Sequence, residues 1–377
     1  MKEAFLFFIF ICYIENIISY IDNIEEDDYE IIRHDMYFAK NYFEDIRHRA
    51  DNLTSFISST INVFHFDLMM NAYRSMTELR QQYFLDQIDF EASKLTEPAK
   101  QGKDKLIVER LAFTSFQSLR YAVDNYLKIL KSVQIEYKRF DVETKGYDAD
   151  ADNFFRKYCT TPQIFRKDNC SIALVSTVGV DAKWKYPFKT EQNNMMKAVG
   201  SFNFAHDLKF KIDILQVPFE GGKMLLTLVI SRDELFYIEA QRLFQSAISG
   251  TFRVKIETVY LPKIAFSIMI KEFSIDRDQM TKPYNRYRCM TQKLVLNIQE
   301  DGISRTINNK PKENGWNETD WKYGSTYYPP KNSCVVDSPF FFTLHYIPTQ
   351  EMIFLGKWRP SDGIYVENYL QASDDYF

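Results

Sequence analysis

Apolar residues change their spacing twice along this chain. Through residues 36–150 they recur at helical intervals. Met36–Ala50, Asn62–Phe84 and Lys105–Val133 run without Gly or Pro, which predicts helices. From residue 171 the period becomes that of strands. Ile172–Val180 is a β-branched run, Leu208–Val217 and Phe252–Leu261 alternate, and Met224–Ile230 has the pattern of a buried strand. Glu234–Ser249 is a helical interlude, and Lys293–Ile298 alternates before Glu300-Asp301-Gly302. Residues 302–334 then lose all periodicity and are rich in Asn, Lys, Pro and Gly, which predicts a long loop, functional or disordered. Two last apolar runs, Ser338–Leu344 and Ile353–Lys357, flank the polar turn Pro348-Thr349-Gln350-Glu351 and predict a hairpin.

Composition narrows the class. The chain has 377 residues, 45% hydrophobic and 16% aromatic, enough for a large core and unlike a disordered chain. No internal repeat or linker divides residues 21–377, so they read as a single α+β domain. A net charge of −4 gives no basic field for nucleic acid.

The first residues read as a secretory signal. Lys2 is followed by the apolar run Ala4–Tyr13, which Glu15 and Asn16 end too soon for a membrane span. Cleavage is expected near Ser19 or Tyr20, which makes residues 1–20 a signal peptide and the protein extracellular. Glu25–Asp28 begin the mature chain with a solvated acidic stretch. Cys12 leaves with the signal, so Cys159, Cys170, Cys289 and Cys334 remain as disulfide candidates with three possible connectivities. Asn52, Asn169 and Asn317 head glycosylation sequons.

No residue set points to a cofactor or a metal. The histidines are scattered, no Cys-x-x-Cys occurs, and Asp148, Asp150 and Asp152 lack the glycine and closing Glu of a calcium loop. No nucleophile elbow, phosphate loop or zinc-protease motif occurs, so an enzyme is not expected.

The hairpin carries a more specific signal. Pro339-Phe340-Phe341-Phe342, then Ile353-Phe354-Leu355-Gly356-Lys357 and Pro360, resembles the C-terminal hairpin of serpins. Further stations resemble the same family in the same order. Ser58-Ser59-Thr60-Ile61, with Thr77 beyond it, stands for the family's Ser-Pro-x-Ser and helix-capping threonine. Leu174–Trp184 with Pro187-Phe188 is similar to the strand that enters the Gly-Lys-Trp turn. Met195-Met196, Val217-Pro218-Phe219, Val259–Lys263 and Gln292–Gly302 follow. The resemblance implies a serpin fold: N-terminal helices, a large central β-sheet, and a C-terminal β-barrel and hairpin.

The family's inhibitors offer a bait loop to a serine protease, and the cleaved loop enters the central sheet as a new strand, releasing stored strain. The hinge here starts well, with Glu300, Asp301 and Gly302, but continues Ile303-Ser304-Arg305 and later Pro311. Ile303 is bulky where the first inserted residue is small. Arg305 falls in a slot for a small inward-facing residue, and Pro311 removes a ladder donor. In the sheet-opening region the family's polar latch corresponds to Ile61, Ser176 and Gln292 beside Ser58, with Trp184 as the buried anchor.

By the family's spacing the reactive bond falls at Trp316-Asn317, with Lys310, Lys312, Lys322 and Lys331 as alternatives. A bridge between Cys289 and Cys334 would tether the hinge strand to the hairpin, leaving Cys159 with Cys170. Two functions remain open. One is a non-inhibitory binding protein, using Trp316, Trp321, Tyr323, Tyr327 and Tyr328 on the long loop to meet a secreted or cell-surface protein. The other is an inhibitor of an extracellular serine protease. A monomer is expected in either case.

Overall fold

A computed structural model describes residues 55–59, 105–115, 136–141, 170–191, 194–207, 212–231, 254–275, 287–307, 332–347 and 351–371. In chain order the strands are β1 (Phe56–Ser58), β2 (Lys105–Ser115), β3 (Glu136–Asp141), β4 (Cys170–Lys183), β5 (Lys189–Thr190), β6 (Met195–Asp207), β7 (Ile212–Pro218) and β8 (Met224–Ser231). There follow β9 (Val254–Pro262), β10 (Ile264–Ile275), β11 (Tyr287–Gln299), β12 (Gly302–Ser304), β13 (Ser333–Val335), β14 (Phe340–Tyr346), β15 (Glu351–Trp358) and β16 (Tyr365–Gln371). They form two sheets. A nine-stranded sheet runs β1-β15-β14-β8-β7-β6-β9-β13 with β5 beside β6, and a seven-stranded sheet runs β16-β10-β11-β12-β4-β2-β3. The second sheet is mixed: β4–β11, β10–β16 and β2–β3 are parallel, the other pairs antiparallel. The helices expected at Met36–Ala50, Asn62–Phe84 and Glu234–Ser249 lie outside the described residues.

The core sits where the sheets meet. β14 is buried along its whole length because β8 and β15 flank it and both of its faces are covered. Phe342 reaches Phe266 of β10, ring centroids 5.5 Å apart, and Phe340 packs on Trp358 at 5.3 Å. Gly356 is paired with Phe342 on one side and Ile57 on the other. A β-carbon there would lie 2.5 Å from the Phe342 ring and 2.6 Å from the Phe56 carbonyl oxygen. The glycine of the Leu-Gly-Lys run is therefore a packing requirement.

One helical expectation is corrected. Lys105–Ser115 is a strand, not the first part of a helix over Lys105–Val133. A bulge between Val108 and Arg110 shifts its register on β4. Leu106, Val108, Leu111 and Phe113 thereby take register positions of one parity. The extra residue puts a step of three into a period of two, so strict alternation is lost, and the segment carries no Gly or Pro to mark it off from a helix. β3 is a second strand inside the region read as mostly helical.

A polar row crosses the nine-stranded sheet. Asn203, Gln216, Thr227 and Thr343 pair in register across β6, β7, β8 and β14. Asn203 Nδ2 donates to Gln216 Oε1 at 2.8 Å, and Thr343 Oγ1 lies 3.3 Å from His345 Nδ1. Burial pushes the His345 imidazole down to about 4, so it is neutral at physiological pH.

Two predictions follow from this packing. Gly356→Ala should destabilise the fold by about 1–3 kcal/mol, since backbone and ring must both move; urea unfolding measures it. For His345 the folded pKa is depressed, so the unfolded chain binds the proton more readily. Stability should fall as pH drops from 6.5 to about 4, by about 3 kcal/mol at most. His345→Gln should flatten that slope in urea midpoints taken at pH 7 and pH 4.5.

Candidate functional site

The hinge at Glu300-Asp301-Gly302 is where the seven-stranded sheet departs from simple pairing. β11 ends at Gln299, and Glu300-Asp301 turn the chain back. β12 then wedges between β11 and β4: Gly302 pairs with Gln299 and Lys183, and Ile303 with Ile298 and Ala182. Gly302 is required twice over. Its φ is +156°, and a β-carbon would fall 1.9 Å from the Ala182 carbonyl oxygen.

Trp184 holds the turn. Its backbone N donates to Asp301 O at 3.1 Å, and its indole N–H donates to Gln299 O at 2.7 Å. Phe188 N donates to Glu300 O at 3.0 Å. The indole is 2% exposed, stacked on Phe219 at 4.6 Å and edge-on to Phe188 at 5.6 Å. A large aromatic with one donor suits such a position, because its body fills the core while its N–H meets a carbonyl.

Glu300 fixes the turn from outside. Its carboxylate accepts from Thr190 Oγ1 and pairs with Lys263 Nζ. Partial burial pulls its pKa upward, but the hydrogen bonds from Lys263 and Thr190 and the lysine charge outweigh that and hold it below the usual value. A lowered folded pKa means that this contact stabilises above the ordinary carboxylate pKa and is lost as pH falls through the folded value.

The strand stops after Ser304. Residues two apart share a face, so Ile303 is followed on that face by position 305. In continued register, 305 would lie opposite Val180 and Leu296, which are 0% and 1% exposed. Arg305 instead leaves the ladder. Its backbone N donates to Asp181 Oδ1 at 3.0 Å, and its Nε lies 3.2 Å from Asp181 Oδ2. Gly179 makes the room: a β-carbon there would be 2.6 Å from the Arg305 β-carbon. Asn297 Nδ2 donates to Thr306 O at 2.9 Å and fixes the exit. Below the wedge β4 and β11 pair directly, from Leu294 with Val178 down to Tyr287 with Cys170, and Gln292 is the register partner of Ser176.

The structure thus brings together Glu300, Asp301, Gly302, Ile303, Arg305 and Trp184. Ser58 lies apart in β1, buried and paired with Leu355. The concern over a bulky residue 303 is revised: Ile303 is 4% exposed and belongs to the core, because Ala182 opposite it is small. The proposed Cys289–Cys334 bridge is corrected. Cys334 is a buried thiol that forms no disulfide. It sits in β13 beside Val259, whereas Cys289 sits in β11 of the other sheet. Ile61, Trp316, Asn317, Asn52, Asn169 and Cys159 lie outside the described residues. Gly179, Asp181, Asn297, Lys263 and Thr190 were not singled out from the sequence. Gly179 alone carried a signal, since a glycine inside a β-branched run marks a close approach.

No family model matches the sequence, and no curated protein matches it. Solved structures do. Human thyroxine-binding globulin, in complex with thyroxine, is 13% identical with a TM-score of 0.60, covering 87% of this chain and 98% of its own. Mouse protein-Z dependent protease inhibitor is 16% identical at TM-score 0.57, covering 87% and 96%. Serpin48 of the insect Tenebrio molitor, described as a highly specific serpin, is 15% identical at TM-score 0.56, covering 89% and 98%. The chain has the serpin fold.

Asp181→Asn tests the exit. The pair is part-exposed, so global stability should change by about 1 kcal/mol or less. Hydrogen exchange at the amides of residues 303–306 should rise several-fold by mass spectrometry. Unchanged exchange would show that Asp181 does not hold the hinge.

Proposed function

We propose that this chain is a secreted serpin-fold protein that does not trap proteases by loop insertion and acts as a binding or regulatory protein. The observation that carries this is the exit at Arg305. To continue as a strand, the loop would have to turn a guanidinium toward Val180 and Leu296, away from Asp181. A buried charge stripped of its partner costs several kcal/mol. Pro311 adds a missing ladder donor a few residues on. The leader-like segment from Lys2 to Tyr13 supports export, as do the sequons at Asn52, Asn169 and Asn317. The partner is a secreted or cell-surface protein, met by the aromatic residues of the 302–334 segment.

A second reading, an extracellular serine-protease inhibitor with an unusual loop, is favoured by one specific observation: Ile303 is already accepted between β4 and β11. Its reactive bond would be Trp316-Asn317.

Incubation with trypsin-like and chymotrypsin-like serine proteases separates the two. The expected result is nicking between residues 302 and 334, no complex that survives denaturing electrophoresis, and no rise in melting temperature. Arg305→Thr, nicked in the same way, should show a rise, because the obstructing charge is gone. A denaturation-resistant complex with the native chain would establish the inhibitor instead.

A further inference from the structure

The chain does not end its structure at the hairpin. After β15 it makes one 3-10 turn, Pro360–Asp362, crosses from the nine-stranded sheet to the seven-stranded one, and adds β16 parallel to β10. Seven residue pairs form, from Ala265 with Tyr365 to Lys271 with Gln371. The crossing is pinned. Asp362 Oδ2 accepts from both the backbone N and the hydroxyl of Ser55, each at 2.6 Å, and Arg359 N donates to Ser55 Oγ at 2.8 Å. Trp358 Nε1 donates to Gly363 O at 2.9 Å, and Ala265 N donates to Ile364 O at 2.7 Å. Gly363, at φ +78°, takes a positive-φ conformation that glycine adopts without strain.

We propose that the outer edge of β10 is a strand-acceptor site, that the chain fills it in cis with β16, and that β16 thereby excludes an extended strand from a second copy. β10 spans Ile264–Ile275, and its other side is paired with β11 throughout. Ile264, Ala265, Phe266, Ile268 and Ile270 are buried, so the edge is long, regular and apolar. An edge of that kind, left open, is a template for another chain. β16 supplies the missing hydrogen bonds and two apolar anchors, Ile364 at its entry and Val366, 6% and 3% exposed. Its opposite face is wet: Glu367 is exposed, and Tyr365 Oη donates to Glu367 Oε2 at 3.2 Å. One apolar face and one polar face are what a capping strand needs.

The test uses a chain shortened after Gly363 and a fluorescent peptide of residues 364–371. The full chain should be monomeric and ignore the peptide. The shortened chain, folded by circular dichroism, should bind it saturably and form dimers as concentration rises. A Val366→Asp peptide should bind about tenfold or more weakly, since it buries a charge. A folded shortened chain that refuses the peptide, or a full chain that binds it equally well, would overturn the proposal. Should the shortened chain not fold, full-length Val366→Asp decides. It should bind the native peptide and show faster hydrogen exchange at residues 265–271; no change in either would also overturn the proposal.

Discussion

A guanidinium will not enter an apolar layer without an anion beside it, and that constraint fixes how far the hinge enters the central sheet. Ile303 can take its place between β4 and β11 because its side chain is apolar and Ala182 leaves the room. Two residues on, the same face is lined by Val180 and Leu296, and the chain carries Arg305. The cheapest solution is to break the ladder at Ser304, turn the charge out, and meet Asp181. Everything local follows from that turn. Gly179 lacks a side chain because Arg305 crosses it, and Asn297 spends its amide on the backbone of Thr306 just past the break.

The wedge is tied to the rest of the molecule through Trp184 and Glu300. Trp184 bonds the hinge turn by its backbone and its ring while stacking on Phe219, which follows β7 of the other sheet. Glu300 reaches Lys263, between β9 and β10, and Thr190 of β5. The turn before the loop is thus clamped by both sheets at once. Relaxing it means breaking several hydrogen bonds and one part-buried ion pair together, and such contacts are not independent of one another.

The sequence made the hairpin, the β-branched strand before Trp184 and the Glu-Asp-Gly hinge legible, because each has a period or a residue type that only one local structure suits. It hid β2, because a bulge at Glu109 broke the strand alternation in a segment without Gly or Pro. It hid β16, because the crossing from one sheet to the other is held by hydrogen bonds of Ser55 to Asp362 and Arg359, residues far apart in sequence. Asp181 was invisible for a related reason. Its role depends on which residue lands across from it, and that is set by register rather than by type.

Among the described residues, two strand positions of the central sheet are filled by short segments of the same chain, with opposite chemistry. At the outer edge of β10, Val366 continues the apolar face and β16 pairs over seven positions. Between β4 and β11, pairing ceases after two to three positions because the next inward residue is charged. Backbone hydrogen bonds are available at both places, so they do not distinguish them. What differs is the side chain that the pleat sends inward. A strand is accepted for as long as its inward residues are apolar, and Arg305 is where this loop fails that condition.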